Sequence, residues 1–118
     1  MDRKLPVLAL AGTSTYRYLK EKKITLSKID PLSVANAVNL ILRGRADYFV
    51  YHDIGLRYYL KHNFLANKLV FAAKPVRRYN HWMVFSKHVP AHVIAVINAT
   101  IGKMVASGEI QAILTKYR

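Results

Sequence analysis

Short apolar runs alternate with segments of helical periodicity up to Ala73. The runs at 5–11, 46–51 and 69–73 are as continuous as strands buried in a parallel sheet, whereas 24–29 alternates apolar and polar residues like a half-exposed strand. Helices are predicted between these runs, at 13–22, 30–42 and 53–62. This alternation predicts an α/β fold in which helices flank a mainly parallel sheet.

The pattern changes after Pro75. Residues 79–86 are predicted to form one more strand. Two helices are then predicted at about 91–106 and 109–117, with Gly108 separating them.

Composition narrows the class of protein. The 118 residues suffice for one domain or part of a larger one, and a hydrophobic content of 53% argues against disorder. The chain has no cysteine, which excludes disulfides and thiolate metal sites. The opening MDRKLPVLALAG is short for a signal peptide and is better explained by a buried strand.

The formal charge of +13 favours anionic partners. The basic residues are nevertheless scattered, and the densest group (Lys20, Lys22 and Lys23) also contains Glu21. No basic, aromatic-interleaved module of a nucleic-acid-binding type is present. We therefore expect no nucleic-acid partner, and a basic nucleic-acid-binding domain is the weakest alternative.

Polar groups follow two predicted strands at their carboxyl ends, where open parallel sheets bind ligands. Thr13 and Ser14 follow the first strand at the start of a helix, which offers N–H and hydroxyl donors to an anion. His52 and Asp53 follow the strand at 46–51, and the carboxylate would hold a cation. Together they suit an α-amino acid zwitterion, but helix capping alone explains the same residues, Asp53 included.

Catalytic arrangements fit the sequence less well. Ser14, His52 and Asp53 contain the residue types of a triad, but neighbouring His and Asp residues do not easily form a base with its orienting group. Pro90 separates His88 from His92 and disrupts the common helical face that a zinc pair needs. With no phosphate-loop or dinucleotide motif, we expect no enzymatic activity, no cofactor and no metal.

Three stretches carry a resemblance to a known family. They are VLALAGTSTYRYL, ANAVNLILRGRADYFVYHD, and the C-terminal YNHWMVFSKHVPAHVIAVINATIGKMVASGEIQAILTKYR. In this order they resemble the C-terminal half of type II periplasmic solute-binding proteins of ABC transporters, in the polar amino acid-binding family. Related lobes occur in bacterial sensor receptors and in ionotropic glutamate receptors.

The resemblance implies a role for each candidate residue. The aspartate at the position of Asp53 receives the ligand ammonium in amino acid-binding members, and residues at Thr13 and Ser14 hold the carboxylate. A histidine like His52 lies at the site in some members. Leu10 departs from the family, since some members have a polar ligand contact there, so the resemblance does not imply specificity for a polar side chain.

The resemblance also implies how the chain is organised. Residues 1–80 would form a second α/β lobe, and 81–118 a return strand with two C-terminal helices that pack on a first lobe absent from these 118 residues. Arg45 and Asp47 would stabilise a turn between helix and strand. The apolar face of the long helix (Val93, Ile94, Val96, Ile97, Ile101, Met104 and Val105) then needs the first lobe or a second copy of the chain, as in a swapped homodimer.

The implied function is that of a periplasmic or otherwise extracytoplasmic substrate receptor. It would bind an amino acid or a similar small zwitterion by closure of two lobes and deliver it to the membrane permease of an ABC transporter. The alternative is a ligand-sensing lobe of a signalling receptor, or of the regulatory domain of a cell-wall enzyme.

Overall fold

The computed structural model describes residues 6–117. They fall into two compact units, one ending at Ala72 and one beginning at Ala73. The first unit contains β1 (Val7–Leu8), α1 (Ser14–Glu21), α2 (Val34–Leu42), β2 (Tyr48–Phe49) and α3 (Asp53–His62). The second contains α4 (Ala91–Ser107) and α5 (Glu109–Lys116). Each of these helices overlaps a helix predicted from the sequence, which confirms those predictions.

The predicted fold class, a mainly parallel sheet flanked by helices, is wrong. Within residues 6–117 the only sheet has two strands, β1 and β2, which pair in parallel with Leu8 opposite Phe49. A single parallel bridge joins Val7 to Leu26. The described structure is thus mostly helical, with a short parallel pair.

Three of the predicted strands are reduced or absent in the described residues. The predicted strand at 24–29 is reduced to the bridge at Leu26, and those at 69–73 and 79–86 are absent. Val70 is 96% exposed and Val84 is 87% exposed, so neither side chain packs in a core. Leu69 and Phe71 do pack against the cluster of Val38, Leu56 and Leu60, but the run at 69–73 forms no ladder with another strand in the described residues. Because β propensity depends on cross-strand neighbours as well as on burial, such a run stays irregular. Leu5, the predicted start of the first strand, lies outside the described residues.

Side-chain caps fix where the first two helices begin. Thr13 caps α1, as the sequence predicts. In contrast, α2 begins at Val34 and not at the predicted Asp30 or Pro31, because the Ser33 hydroxyl accepts a hydrogen bond from the Asn36 N–H at 3.1 Å. A serine oxygen at the N-cap satisfies an N–H group that the start of the helix leaves unpaired.

Helices α1, α2 and α3 all end in the same backbone motif. In each, the residue after the C-cap has a positive φ angle: 57° at Lys23, 71° at Gly44 and 56° at Phe64. In α2 the N–H of Gly44 donates to the Ile41 carbonyl at 2.9 Å, and the next N–H donates to the Leu40 carbonyl at 2.9 Å. These are the two hydrogen bonds of a Schellman motif, which terminates a helix and reverses the chain.

Two clusters of buried side chains form the core of the first unit, and α2 contributes to both. Ala37 on α2 packs with Leu8 of β1 and with Ala46. Val38, the next residue on α2, packs with Leu56 and Leu60 of α3. Phe49 of β2 contacts both clusters. The core therefore holds β1, β2, α2 and α3 together, and with them the loops that follow the two strands.

The second unit has no comparable core. No residue of α4 or α5 within the described range is buried. Trp82 is 81% exposed, Val96 65% and Val105 62%. Among residues 6–117, no single helix has the length and apolarity to cross a membrane, whereas α4 and α5, bent by 75° at their junction, meet both criteria as a pair by length and composition only.

Candidate functional site

Parallel pairing of β1 and β2 brings two loops to one edge of the sheet. The Val50 N–H donates to the Leu8 carbonyl at 3.0 Å, at the carboxyl end of both strands. The chain after β1 leads through Gly12 into α1, and the chain after β2 leads through His52 into α3. Two helices therefore begin from neighbouring strand ends, and each start presents N–H groups that have no partner within the helix.

Thr13 uses its hydroxyl to order the first of these loops. The hydroxyl donates to the Leu10 carbonyl at 2.6 Å and accepts from the Tyr16 N–H at 3.2 Å. Its single proton is therefore directed to the backbone of the loop in this structure. Ser14, the first residue of α1, is exposed at the start of the helix. The positive end of the helix dipole favours an anion there.

The N-cap of α3 is His52, not Asp53. The Nδ1 atom of His52 accepts from the Gly55 N–H at 3.1 Å, and the backbone of His52 is extended, as at an N-cap. Asp53 is the first residue inside α3 and is exposed. N-capping therefore does not account for Asp53, although a carboxylate in the first turn of a helix is stabilised by the helix dipole.

The imidazole of His52 lies against two neighbours that the sequence interpretation did not include. Its ring centroid is 4.2 Å from that of Tyr51, with the planes inclined by 31°. On its other flank is Gly55, whose lack of a side chain leaves room for the ring. A glycine inside a helical pattern is a signal for such a close approach, and Gly55 could have been singled out on that ground.

The geometry of His52 also bears on catalysis. In a serine–histidine–aspartate triad, Nδ1 carries a proton and donates it in a hydrogen bond to the carboxylate. Here Nδ1 accepts a hydrogen bond from Gly55, so it does not carry that proton. The arrangement of His52 and Asp53 is thus that of a helix start, with a capping ring followed by a first-turn carboxylate.

The described residues offer little other candidate chemistry. No three histidine, aspartate or glutamate side chains within residues 6–117 are grouped as metal ligands, His88 and His92 included. A shallow depression of about 430 Å³ is lined by residues of α1 and the segment after it, including Lys20, Lys23 and Lys28. None of the four predicted site residues lines it.

No family model matches the sequence, and no curated protein and no solved structure matches it. The resemblance to solute-binding proteins, and the roles it implies for Thr13, Ser14, His52 and Asp53, therefore stay predictions.

Proposed function

We propose that this chain is part of the solute-binding receptor of an ABC transporter and binds an amino acid or a similar small zwitterion. The observation that carries the proposal is the pair of helix starts at one edge of the β1–β2 pair. One start lacks an acidic residue in its first turn, and the other has Asp53. A zwitterion needs such an anion site beside a cation site.

Asp53 is the proposed partner of the ligand ammonium. The carboxylate is exposed and lies at the start of α3, while the capping role belongs to His52. A charge-assisted hydrogen bond between a carboxylate and an ammonium group contributes roughly 1.5–3 kcal/mol. This interaction is therefore the largest single contribution that we expect from the described residues.

The start of α1 is the proposed site of the ligand carboxylate. The Tyr16 N–H donates to Thr13, so the proposed donors are the other first-turn N–H groups and the Ser14 hydroxyl, and the helix dipole adds a favourable field. The Thr13 hydroxyl donates to Leu10, so in the proposed complex Thr13 acts mainly by ordering the loop. A direct contact would require that proton to turn from the Leu10 carbonyl to the ligand.

The exposed apolar residues of the second unit support the proposal that the chain has a partner. Its exposed apolar residues on α4 would be covered by the first lobe of the receptor or by a second copy of the chain. In the complete receptor, closure of the two lobes would bury the zwitterion and present it to the membrane permease, on the extracytoplasmic side. Without the first lobe, we expect the 118-residue chain to bind amino acids weakly.

An NMR titration of the full chain tests the proposal. L-alanine is the probe, because it carries both charges and a minimal side chain; acetate and methylamine are controls that carry one charge each. We expect saturable, millimolar shifts with L-alanine at the amides of Ser14 and Asp53, and much smaller ones with either control. Equal responses to the three probes, or no saturable response to L-alanine, would contradict the proposal.

A further inference from the structure

Gly55 occupies the third helical position of α3 and faces the ring of its own capping residue. A methyl carbon built on Gly55 would collide with Cε1 of His52 and would lie 2.8 Å from Nδ1 and 2.9 Å from Nε2. Real Cβ atoms do not approach ring atoms this closely. Any side chain at position 55 therefore displaces the imidazole from the first turn of α3.

The hydrogen bond between these two residues defines the protonation of the ring. Gly55 donates its N–H to Nδ1 at 3.1 Å, and Nδ1 accepts only when it carries no proton. A neutral imidazole has one N–H, which must then be on Nε2. The cap of α3 thus selects one tautomer.

The position of the ring is fixed on its other side as well. The Tyr51 ring lies 4.2 Å from the His52 ring, centroid to centroid. Tyr51 in turn stacks on Phe49 of β2, with centroids 5.5 Å apart. The imidazole is therefore held between the end of β2 and the first turn of α3, directly before Asp53.

From these contacts we propose that Gly55 is a positioning residue, which holds the His52 ring on the first turn of α3 in its Nε2–H form. What this position of the ring means for ligand binding rests on the proposed function. The site then combines an N–H donor at His52 with a carboxylate acceptor at Asp53. The ligand group that meets His52 is accordingly a hydrogen-bond acceptor.

The test is NMR on the full chain with ¹⁵N-labelled histidine, at about pH 8.5, where an unperturbed imidazole is neutral. In the wild type we expect His52 to have a protonated Nε2 and an unprotonated Nδ1, together with slowed exchange of the Gly55 amide proton. In Gly55→Ala we expect a tautomer mixture and faster amide exchange at position 55. Gly102→Ala is the matched control, because a methyl group there meets nothing within 4 Å.

Two changes at the capping position separate this role from general stability. His52→Ala removes the acceptor, and we expect about fivefold faster exchange of the Gly55 amide, the ratio for a cap worth about 1 kcal/mol. His52→Asn restores an N-cap acceptor and should recover most of the protection.

The proposal is overturned if wild-type His52 carries its proton on Nδ1, or if Gly55→Ala changes neither the tautomer nor the amide exchange. The first criterion uses only the wild type and holds even if a variant does not fold. None of these measurements requires a ligand. A failure to bind L-alanine would therefore overturn the proposed function and leave the positioning role of Gly55 to be judged separately.

Discussion

Asp53 is an exposed carboxylate in the first turn of α3, where it contributes through its charge and not as the cap. Its charge interacts favourably with the helix dipole, which typically contributes 0.3–1 kcal/mol. The N-cap hydrogen bond, by contrast, is made by His52. The stability of the chain should therefore depend little on Asp53, even though the proposed site depends on it strongly.

We predict that Asp53→Asn lowers the free energy of unfolding of the first unit by less than about 1 kcal/mol, the loss of one helix-dipole interaction. Urea unfolding followed by circular dichroism measures this change. His52→Ala is the comparison and should cost about 1 kcal/mol through the lost cap. A loss of several kcal/mol in Asp53→Asn would instead assign the carboxylate a structural role.

At the level of single residues, part of the site could be predicted from the sequence. A Thr-Ser-Thr run after a buried strand indicates a helix start, and the structure has its cap at Thr13. The cap at His52 was missed because histidine is not among the preferred N-cap residues, whereas its neighbour Asp53 is. Gly55, three residues further on, leaves room for the ring at the cap, and this glycine is a local signal that the sequence interpretation did not use.

The sequence signals the end of one of the three helices of the first unit clearly and the ends of the other two poorly. Gly44 signals the end of α2, because glycine tolerates the positive φ of a Schellman motif. Lys23 and Phe64 adopt the same conformation without that signal. The left-handed conformation costs an L-residue roughly 1–2 kcal/mol, so both positions carry strain that the surrounding hydrogen bonds offset.

We predict that Phe64→Gly raises the free energy of unfolding by up to about 1 kcal/mol, because it relieves that strain at a side chain that is 91% exposed and packs little. Gly44→Ala is the opposite change at an equivalent position and should lower the free energy of unfolding by about 1 kcal/mol. Urea denaturation of both variants measures the pair. A neutral Gly44→Ala together with a destabilising Phe64→Gly would contradict this account of the helix ends.

Strands were predicted less well than helices, for a physical reason that these elements illustrate. A helix makes its hydrogen bonds within one segment, so periodicity and caps at 53–62 suffice to predict α3. A strand needs a partner, and 79–86 has the composition of a strand but pairs with nothing in the described chain. The prediction of a larger sheet was wrong for this reason. The sequence pattern of one segment does not show whether a partner strand is present.

At the scale of the whole molecule, the two units differ in how they bury apolar side chains. The first has clusters that include Leu8, Val38 and Leu60, each no more than 2% exposed. The second leaves valines on α4 largely in solvent. Since burying one such side chain fully contributes about 1.5–3 kcal/mol, the uncovered helix favours association.

We predict that the 118-residue chain self-associates with rising concentration, through α4. Sedimentation velocity should show a weight-average mass that increases with concentration, and Val96→Asp with Val105→Asp should abolish the increase. Asn98→Ser, an exposed polar change on the same helix, is the control and should leave it intact. A wild-type chain that stays monomeric at all concentrations would contradict this prediction, because the exposed apolar residues of α4 would then not drive association.

The central claim is that a zwitterion binds at the edge where α1 and α3 begin, with Asp53 holding its ammonium group. The most direct measurement is the L-alanine titration repeated on Asp53→Asn and on Asp47→Asn, which removes an equal charge from a position outside the proposed site. We predict that Asp47→Asn binds like the wild type and that Asp53→Asn loses about ten- to a hundredfold in affinity, the equivalent of one charge-assisted hydrogen bond. Equal affinity of Asp53→Asn and the wild type would contradict the claim.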